Sequence, residues 1–271
     1  MTSFSAGCDG TVRMWNISQP SQSASVIGRH DQPVKALKFL PEINCVVTGS
    51  WDKSIRVWDM RSPSAAANIQ LSERVYAMDA RGKIVVVGTA DKQVHVFEHS
   101  NKIGEFKSPL NFQTRCISIF EDNTGFAMGC IEGRVAIEYY MEIQNKNKPK
   151  SPSARSFVFK CHRHENDIFS VNAIDFHRYN TFCTAGSDGV FSWWDKDARH
   201  RLGQFELHKR RCPITAVKFN PMGNLMFYSL SYDWSKGASF NDPALGNNLV
   251  IHPINDSEIK PKPPTNSTVR R

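Results

Sequence analysis

An acidic residue, a tight turn and a short strand ending in an aromatic recur along this 271-residue chain. The acids are Asp9, Asp52, Asp91, Glu132, Asp188 and Asp233, spaced 43, 39, 41, 56 and 45 residues apart. The clearest copy runs from Gly49-Ser50-Trp51-Asp52 to Val57-Trp58-Asp59. An aromatic follows the turn at a near-constant offset: Trp15, Trp58, Phe97, Tyr139 and Trp194. An apolar stretch precedes each turn, as in Cys45-Val46-Val47-Thr48 and Ile84-Val85-Val86-Val87. Further upstream lies an alternating stretch such as Val34-Lys35-Ala36-Leu37-Lys38-Phe39. Period-2 alternation marks half-buried strands. A repeat of about 40–45 residues holding four short strands marks a β-propeller blade. One such unit cannot bury both its faces, so the units must stack around an axis. The chain is therefore expected to be all-β, and the 56-residue gap to hold an insertion.

The first and last copies are irregular. Ser3–Ala6 reads as the second strand of a blade, Val12–Trp15 as its third and Ala24–Ile27 as its outer strand. The last copy has Ile214–Val217, Leu225–Tyr228 and a delayed third strand near Asn248–His252, with no fourth. Six blades result, the first lacking an inner strand and the last an outer one. A seven-bladed parent truncated at its N-terminus is the simplest origin, and open sheet edges would favour aggregation. The propeller is expected over residues 1–254. A mobile, basic, Pro/Ser-rich loop is expected at 142–156, with Ser151-Pro152 a candidate phosphosite, and a basic, disordered tail without core residues at 255–271.

A net charge of +8 and a pI near 9.2 favour an acidic partner, either nucleic acid or a Glu/Asp-rich peptide. The seven cysteines are odd in number and scattered without a CxxC pair, as expected of small apolar core residues in a reducing compartment. No apolar run approaches the ~18 residues of a membrane span. Cys161-His162-Arg163-His164 lacks a second ligand pair at zinc-site spacing. Neither a phosphate-binding glycine loop nor a nucleophile elbow is present. No cofactor, metal, small-molecule substrate or catalysis is expected.

Basic and aromatic residues concentrate around the fourth and fifth complete-looking repeats. Arg134 lies in Ile131-Glu132-Gly133-Arg134-Val135, followed by Phe159-Lys160-Cys161-His162-Arg163. Trp193-Trp194-Asp195-Lys196-Asp197-Ala198-Arg199-His200-Arg201 and Lys209-Arg210-Arg211 come next. Neighbouring blades set equivalent turns side by side, so residues far apart in sequence can converge on one rim. Guanidinium groups suit phosphate or carboxylate, and an aromatic face stacks an unpaired base.

With Thr48-Gly49-Ser50-Trp51-Asp52-Lys53, Thr114-Arg115-Cys116 and Ser231-Tyr232-Asp233-Trp234-Ser235-Lys236-Gly237, these stretches resemble the WD-repeat mRNA export factors of the nuclear pore, the Rae/Gle family. The resemblance spans nearly the whole chain. Glu-Gly-Arg-Val and Lys-Cys-His-Arg are shared with a mitotic-checkpoint paralogue that binds kinetochore kinases. Trp194-Asp195-Lys196-Asp197-Ala198-Arg199 and Tyr232–Gly237 look like the export factor. The resemblance implies a non-enzymatic, seven-bladed adaptor in the nucleus and at the nuclear pore, shuttling to the cytoplasm. It implies binding to the acidic GLEBS segment of an FG-repeat nucleoporin and to single-stranded RNA or mRNP, with a secondary spindle role. Arg134, Lys160, His162 and Arg163 would take the peptide; Phe159, Trp194, Lys196, Arg199 and Arg201 would form the RNA rim. In the copy at 30–59, His30, Asp52 and Trp58 are read as a structural network of the kind WD-repeat proteins use. A checkpoint adaptor and a generic scaffold, such as a ubiquitin-ligase substrate receptor, are the alternatives.

Overall fold

The computed structural model describes residues 2–19, 21–62, 64–143, 155–206 and 212–261. Six antiparallel sheets follow one another along the chain. The first contains β1 (Thr2–Ala6), β2 (Thr11–Asn16) and β3 (Ser25–Arg29). The second contains β4 (Val34–Leu40), β5 (Cys45–Ser50), β6 (Ser54–Asp59) and β7 (Ala65–Gln70). The third contains β8 (Val75–Arg81), β9 (Ile84–Thr89), β10 (Gln93–Glu98) and β11 (Asn101–Lys107). The fourth contains β12 (Thr114–Ile119), β13 (Gly125–Cys130), β14 (Arg134–Tyr139) and β15 (Phe157–Lys160), with the short helix α1 (Tyr140–Ile143) after β14. A small hairpin, β16 (Arg163–His164) and β17 (Asp167–Ile168), leads into the fifth. That sheet contains β18 (Val171–Phe176), β19 (Thr181–Gly186), β20 (Val190–Asp195) and β21 (His200–Glu206). The sixth contains β22 (Ile214–Phe219), β23 (Leu225–Leu230) and β24 (Asn248–Pro253), and α2 (Asp256–Ile259) follows. The six-bladed array with three-stranded first and last sheets is the one the repeats predict.

Alternation along the strands builds the core as five layers, one between each pair of successive sheets. Val135 and Ile137 of β14 join Val171, Phe176 and Phe182 of the fifth sheet. Ala136, between them, joins Val94, Val96 and Phe106 of the third. Phe191 and Trp193 pack on Ile214, Met226 and Tyr228 of the sixth. Inner strands succeed one another, β4 beside β8, then β12, β18 and β22. Asp79 of β8 accepts the Ile119 N–H of β12, and Asp175 of β18 the Phe219 N–H of β22, both at 2.8 Å. Each carboxylate thus staples one sheet to the next. Trp58 lies so close over Gly28 of β3 that a Cβ there would stand 2.3 Å from its ring. Trp15, at the equivalent place in the first sheet, is 42% exposed.

The turn acids do the local work expected of them. Asp9, Asp52, Asp91, Asp188 and Asp233 each accept the N–H two residues on. The residue after the acid is left-handed in all six copies: Gly10, Lys53, Lys92, Gly133, Gly189 and Trp234 have φ between 61° and 73°. Glycine fills half of these positions; two lysines and a tryptophan bear the conformational cost.

Two expectations need correction. The sequence predicts a tail without core residues from 255. Instead Ile259 on α2 is fully buried against the fifth and sixth sheets, under an Asn255–Glu258 capping box. In the 142–156 loop, Glu142 accepts the backbone N–H groups of Arg155 and Ser156, which ties the base of the insertion down. Ser151-Pro152 lies outside the described residues.

His30, His95 and His177 are buried, and burial holds each below the ordinary histidine pKa of 6.5. The unfolded chain therefore binds protons on these groups at a higher pH than the folded one. Their contribution is intact above pH 6.5 and is lost as pH falls below it. Urea midpoints are expected to fall steadily from pH 7 to pH 5. A midpoint flat across that range would contradict the sign.

Candidate nucleic-acid and peptide interface

The second and fifth sheets carry the same buried chain of hydrogen bonds. In the second, Trp58 Nε1–H donates to Thr48 Oγ1 at 2.8 Å. His30 bridges Thr48 at 2.7 Å and Asp52 at 2.8 Å. In the fifth, Trp194 donates to Thr184 at 2.9 Å, and His162 bridges Thr184 and Asp188, both at 2.9 Å. One proton order satisfies every member: indole to hydroxyl, hydroxyl to imidazole Nε2, imidazole Nδ1 to carboxylate. The expectation that His162 meets the peptide is corrected here. Its two ring nitrogens are already engaged and its side chain is buried, so it is a tie within the blade.

Lys196 is corrected for a similar reason. The sequence puts it on the RNA rim, yet its side chain is 1% exposed. Its ammonium donates to both Asp197 oxygens at 2.9 and 3.0 Å and lies 3.8 Å from Asp122. The Phe120 and Tyr139 rings of the fourth sheet cover it at 5.0 and 5.6 Å. This is a caged cation bridging two sheets.

The other expected rim residues do converge, in a groove between the fourth and fifth sheets. Phe159 of β15 and Trp194 of β20 meet with ring centroids 4.6 Å apart. Arg199 lies over the Phe157 ring at 4.7 Å, and Arg201 stands opposite Trp194 on β21. One hollow of about 220 Å³ is lined by Lys160, Arg163, Asp188, Trp194, Arg201 and Gln204. A second, of about 130 Å³, is lined by Phe157, Phe159, Phe182, Trp194, Arg199 and Arg201. Lys160, Trp194 and Arg201 border both, so the two hollows adjoin along these three residues. Lys209-Arg210-Arg211 lies outside the described residues.

Arg134 stands apart from this groove. It is cross-strand from Lys160, on the face of β14 that Ala136 presents to the third sheet, and it lines neither hollow. Its Nε lies 3.3 Å from a Glu132 carboxylate oxygen. Arg163 reaches the same carboxylate at 3.8 Å and donates to the Glu132 carbonyl at 2.8 Å. Two half-buried guanidinium groups thus share one carboxylate at the turn, leaving N–H donors and a net positive charge for an acidic guest.

Residues 21–59 and 155–195, the two stretches with a complete Trp–Thr–His–Asp chain, match the family model for the WD domain, G-beta repeat. Along 96% of its length the chain is 40% identical to the mRNA export factor GLE2 of Chaetomium thermophilum, covering 72% of that protein. Over the same share it is 42% identical to the mRNA export factor of Xenopus tropicalis, covering 72% of it, and 40% identical to Protein Rae1 of Drosophila melanogaster, covering 75%. The chain belongs to the WD-repeat mRNA export factor family. A chain of a solved mitotic checkpoint complex is similar in fold, with a TM-score of 0.71 over 94% of this chain and 71% of that one. At 16% identity that likeness concerns architecture alone. Membership of the family carries a role in mRNA export.

Proposed function

We propose that the protein is a non-enzymatic adaptor at the nuclear pore that joins an acidic nucleoporin segment to messenger ribonucleoprotein. The observation that carries this reading is a pair of adjoining cationic sites at the fourth sheet, the Glu132 turn and the groove toward the fifth sheet, which meet at Arg163. The Arg134–Glu132–Arg163 turn suits a carboxylate-bearing GLEBS peptide, because bidentate Arg–carboxylate contacts are strong and directional. The groove of Phe159, Trp194, Arg199 and Arg201 suits single-stranded RNA, with stacking faces for bases and guanidinium groups for phosphates. The net charge of +8 favours both guests. Two of these relatives are named for mRNA export, a process that such a partnership would serve. A nuclear location with shuttling, and action at the spindle, belong to the same proposal.

A double dissociation tests it. Arg134→Glu is expected to weaken a GLEBS peptide at least about tenfold in calorimetry while RNA affinity stays within twofold. Arg199→Glu with Arg201→Glu is expected to do the reverse. It should also lower the slope of log affinity against log salt by about 0.7 for each phosphate that is no longer neutralised. Wild-type affinities for both guests in both variants would refute the assignment.

A further inference from the structure

Five consecutive inner strands carry the same irregularity near their first residues. Pairing slips between Val34 and Ala36, Val75 and Ala77, Thr114 and Cys116, Val171 and Ala173, and Ile214 and Ala216. The residues left at these bulges are Lys35, Tyr76, Arg115, Asn172 and Thr215, one level of five successive strands around the axis. A bulge re-aims the unpaired residue away from the ladder. Arg115 shows where this level lies. From the fourth sheet it donates to Asn172 Oδ1 of the fifth at 3.2 Å and to the Asp233 carbonyl of the sixth at 3.4 Å. It therefore spans the mouth of the axial channel on the face of the acidic turns.

Among the described residues, neither Lys35 nor Arg115 is ion-paired with an acid: no ion pair or hydrogen bond holds the Lys35 ammonium, and Arg115 has only neutral oxygen partners. Arg74 nearby lies over the Tyr76 ring but is paired with Glu73 at 3.3 Å. Asn172, Ser187 and Ser235 occupy the Asp233 carboxylate. Lower down the same strands, every cation has its acid: Lys38 with Asp79 at 2.8 Å, Arg81 with Glu121 at 2.6 Å, Lys218 with Asp175 at 2.5 Å. Burial, and then the Arg115 charge, lower the Lys35 pKa although the side chain is open to solvent. Lys35 and Arg115 belong to non-adjacent sheets, so their coupling runs across the axis.

We propose that this mouth is an oxyanion site, in which one phosphate or carboxylate group bridges Lys35 and Arg115. The ammonium supplies up to three donors, and the Arg115 guanidinium retains N–H groups beyond the two used on Asn172 and Asp233. The site is distinct from the inter-sheet groove and from the Glu132 turn, and it stands whether or not those sites bind as proposed above.

Inorganic pyrophosphate titrated into the full chain at constant ionic strength is the probe. Saturable one-to-one heat is expected, weakened at least about tenfold by Lys35→Met and by Arg115→Met. Arg61→Met, which removes an exposed cation paired with Asp59, should leave the affinity unchanged. Should Arg115→Met disturb the fold, as judged by its melting temperature, Lys35→Met alone decides, since it breaks no hydrogen bond or ion pair among the described residues. Absence of saturable heat, or wild-type affinity in Lys35→Met, overturns the site. A second arm separates the sources of the anion. Displacement of pyrophosphate by a glutamate-rich peptide places a peptide carboxylate in the mouth; simultaneous binding leaves it to a free phosphate compound. Either result supports an oxyanion site.

Discussion

Lys196→Glu is expected to cost about 3–5 kcal/mol of stability, the range for an uncompensated charge in a buried pair. The substitution would put a carboxylate between Asp197 and Asp122, beneath two aromatic faces that favour a cation. Lys196→Met keeps the aliphatic stem and removes only the charge. Asp197 and Asp122 are both partly exposed and can return to water, so about 1 kcal/mol is expected for that change. Urea denaturation of the two variants measures the contrast. Stability within about 1 kcal/mol of wild type for Lys196→Glu would show that the cage does not hold. The result bears on function too. Loss of RNA binding in Lys196→Glu would report the fold of the fourth and fifth sheets, whereas the arginine pair at 199 and 201 tests the groove without touching its foundations.

Removing one hydroxyl should be nearly as costly. Thr184→Val leaves the Trp194 indole N–H and the His162 Nε2 without their partner in a buried site. A loss of about 2–3 kcal/mol is expected, the desolvation cost of unsatisfied groups. Thr48→Val should cost a similar amount through Trp58 and His30. The two threonines lie in separate sheets with no shared partner, so the double variant should be additive. Their effects on binding should differ. Trp194 is also the floor of the groove, so only Thr184→Val is expected to loosen RNA affinity. Equal loss of RNA affinity in Thr48→Val would assign the effect to general destabilisation.

The array is legible because each blade repeats its turn acid and its apolar second strand, and five of the six also repeat the aromatic. Those are local requirements, written within a few residues of one another. Even the delayed strand at Asn248–Pro253 can be placed, since the first two strands of its sheet keep their pattern. The second Trp–Thr–His–Asp chain is harder to see because its histidine is displaced. His30 precedes Asp52 by 22 residues, but His162 precedes Asp188 by 26, the hairpin β16–β17 intervening. The Thr-to-Trp offset of 10 is the same in both copies and is the available signal. Lys196 misleads for a different reason. Asp-Lys-Asp in a turn reads as solvated, and nothing nearby in sequence announces that Phe120 and Tyr139 will roof it. Ile259 is hidden likewise, as one apolar residue in a polar stretch, fixed by a single capped turn.

The left-handed residue after each turn acid separates two things that most surface positions confound. In five of the six turns the acid accepts the N–H two residues on, a bond in which the side chain between them has no part. Glycine, lysine and tryptophan all occupy the position, each at nearly the same φ. Six such points lie on one face. Exchange at Lys53, Lys92 and Trp234 would rewrite the chemical message of that face at a cost of about 1 kcal/mol apiece, well within the tolerance of a folded domain, whereas a Cβ at Gly10 or Gly133 would run into the backbone carbonyl of His30 or Cys161. A propeller can therefore change what such a face presents while keeping how it folds, and Trp234, 60% exposed, sets an indole there.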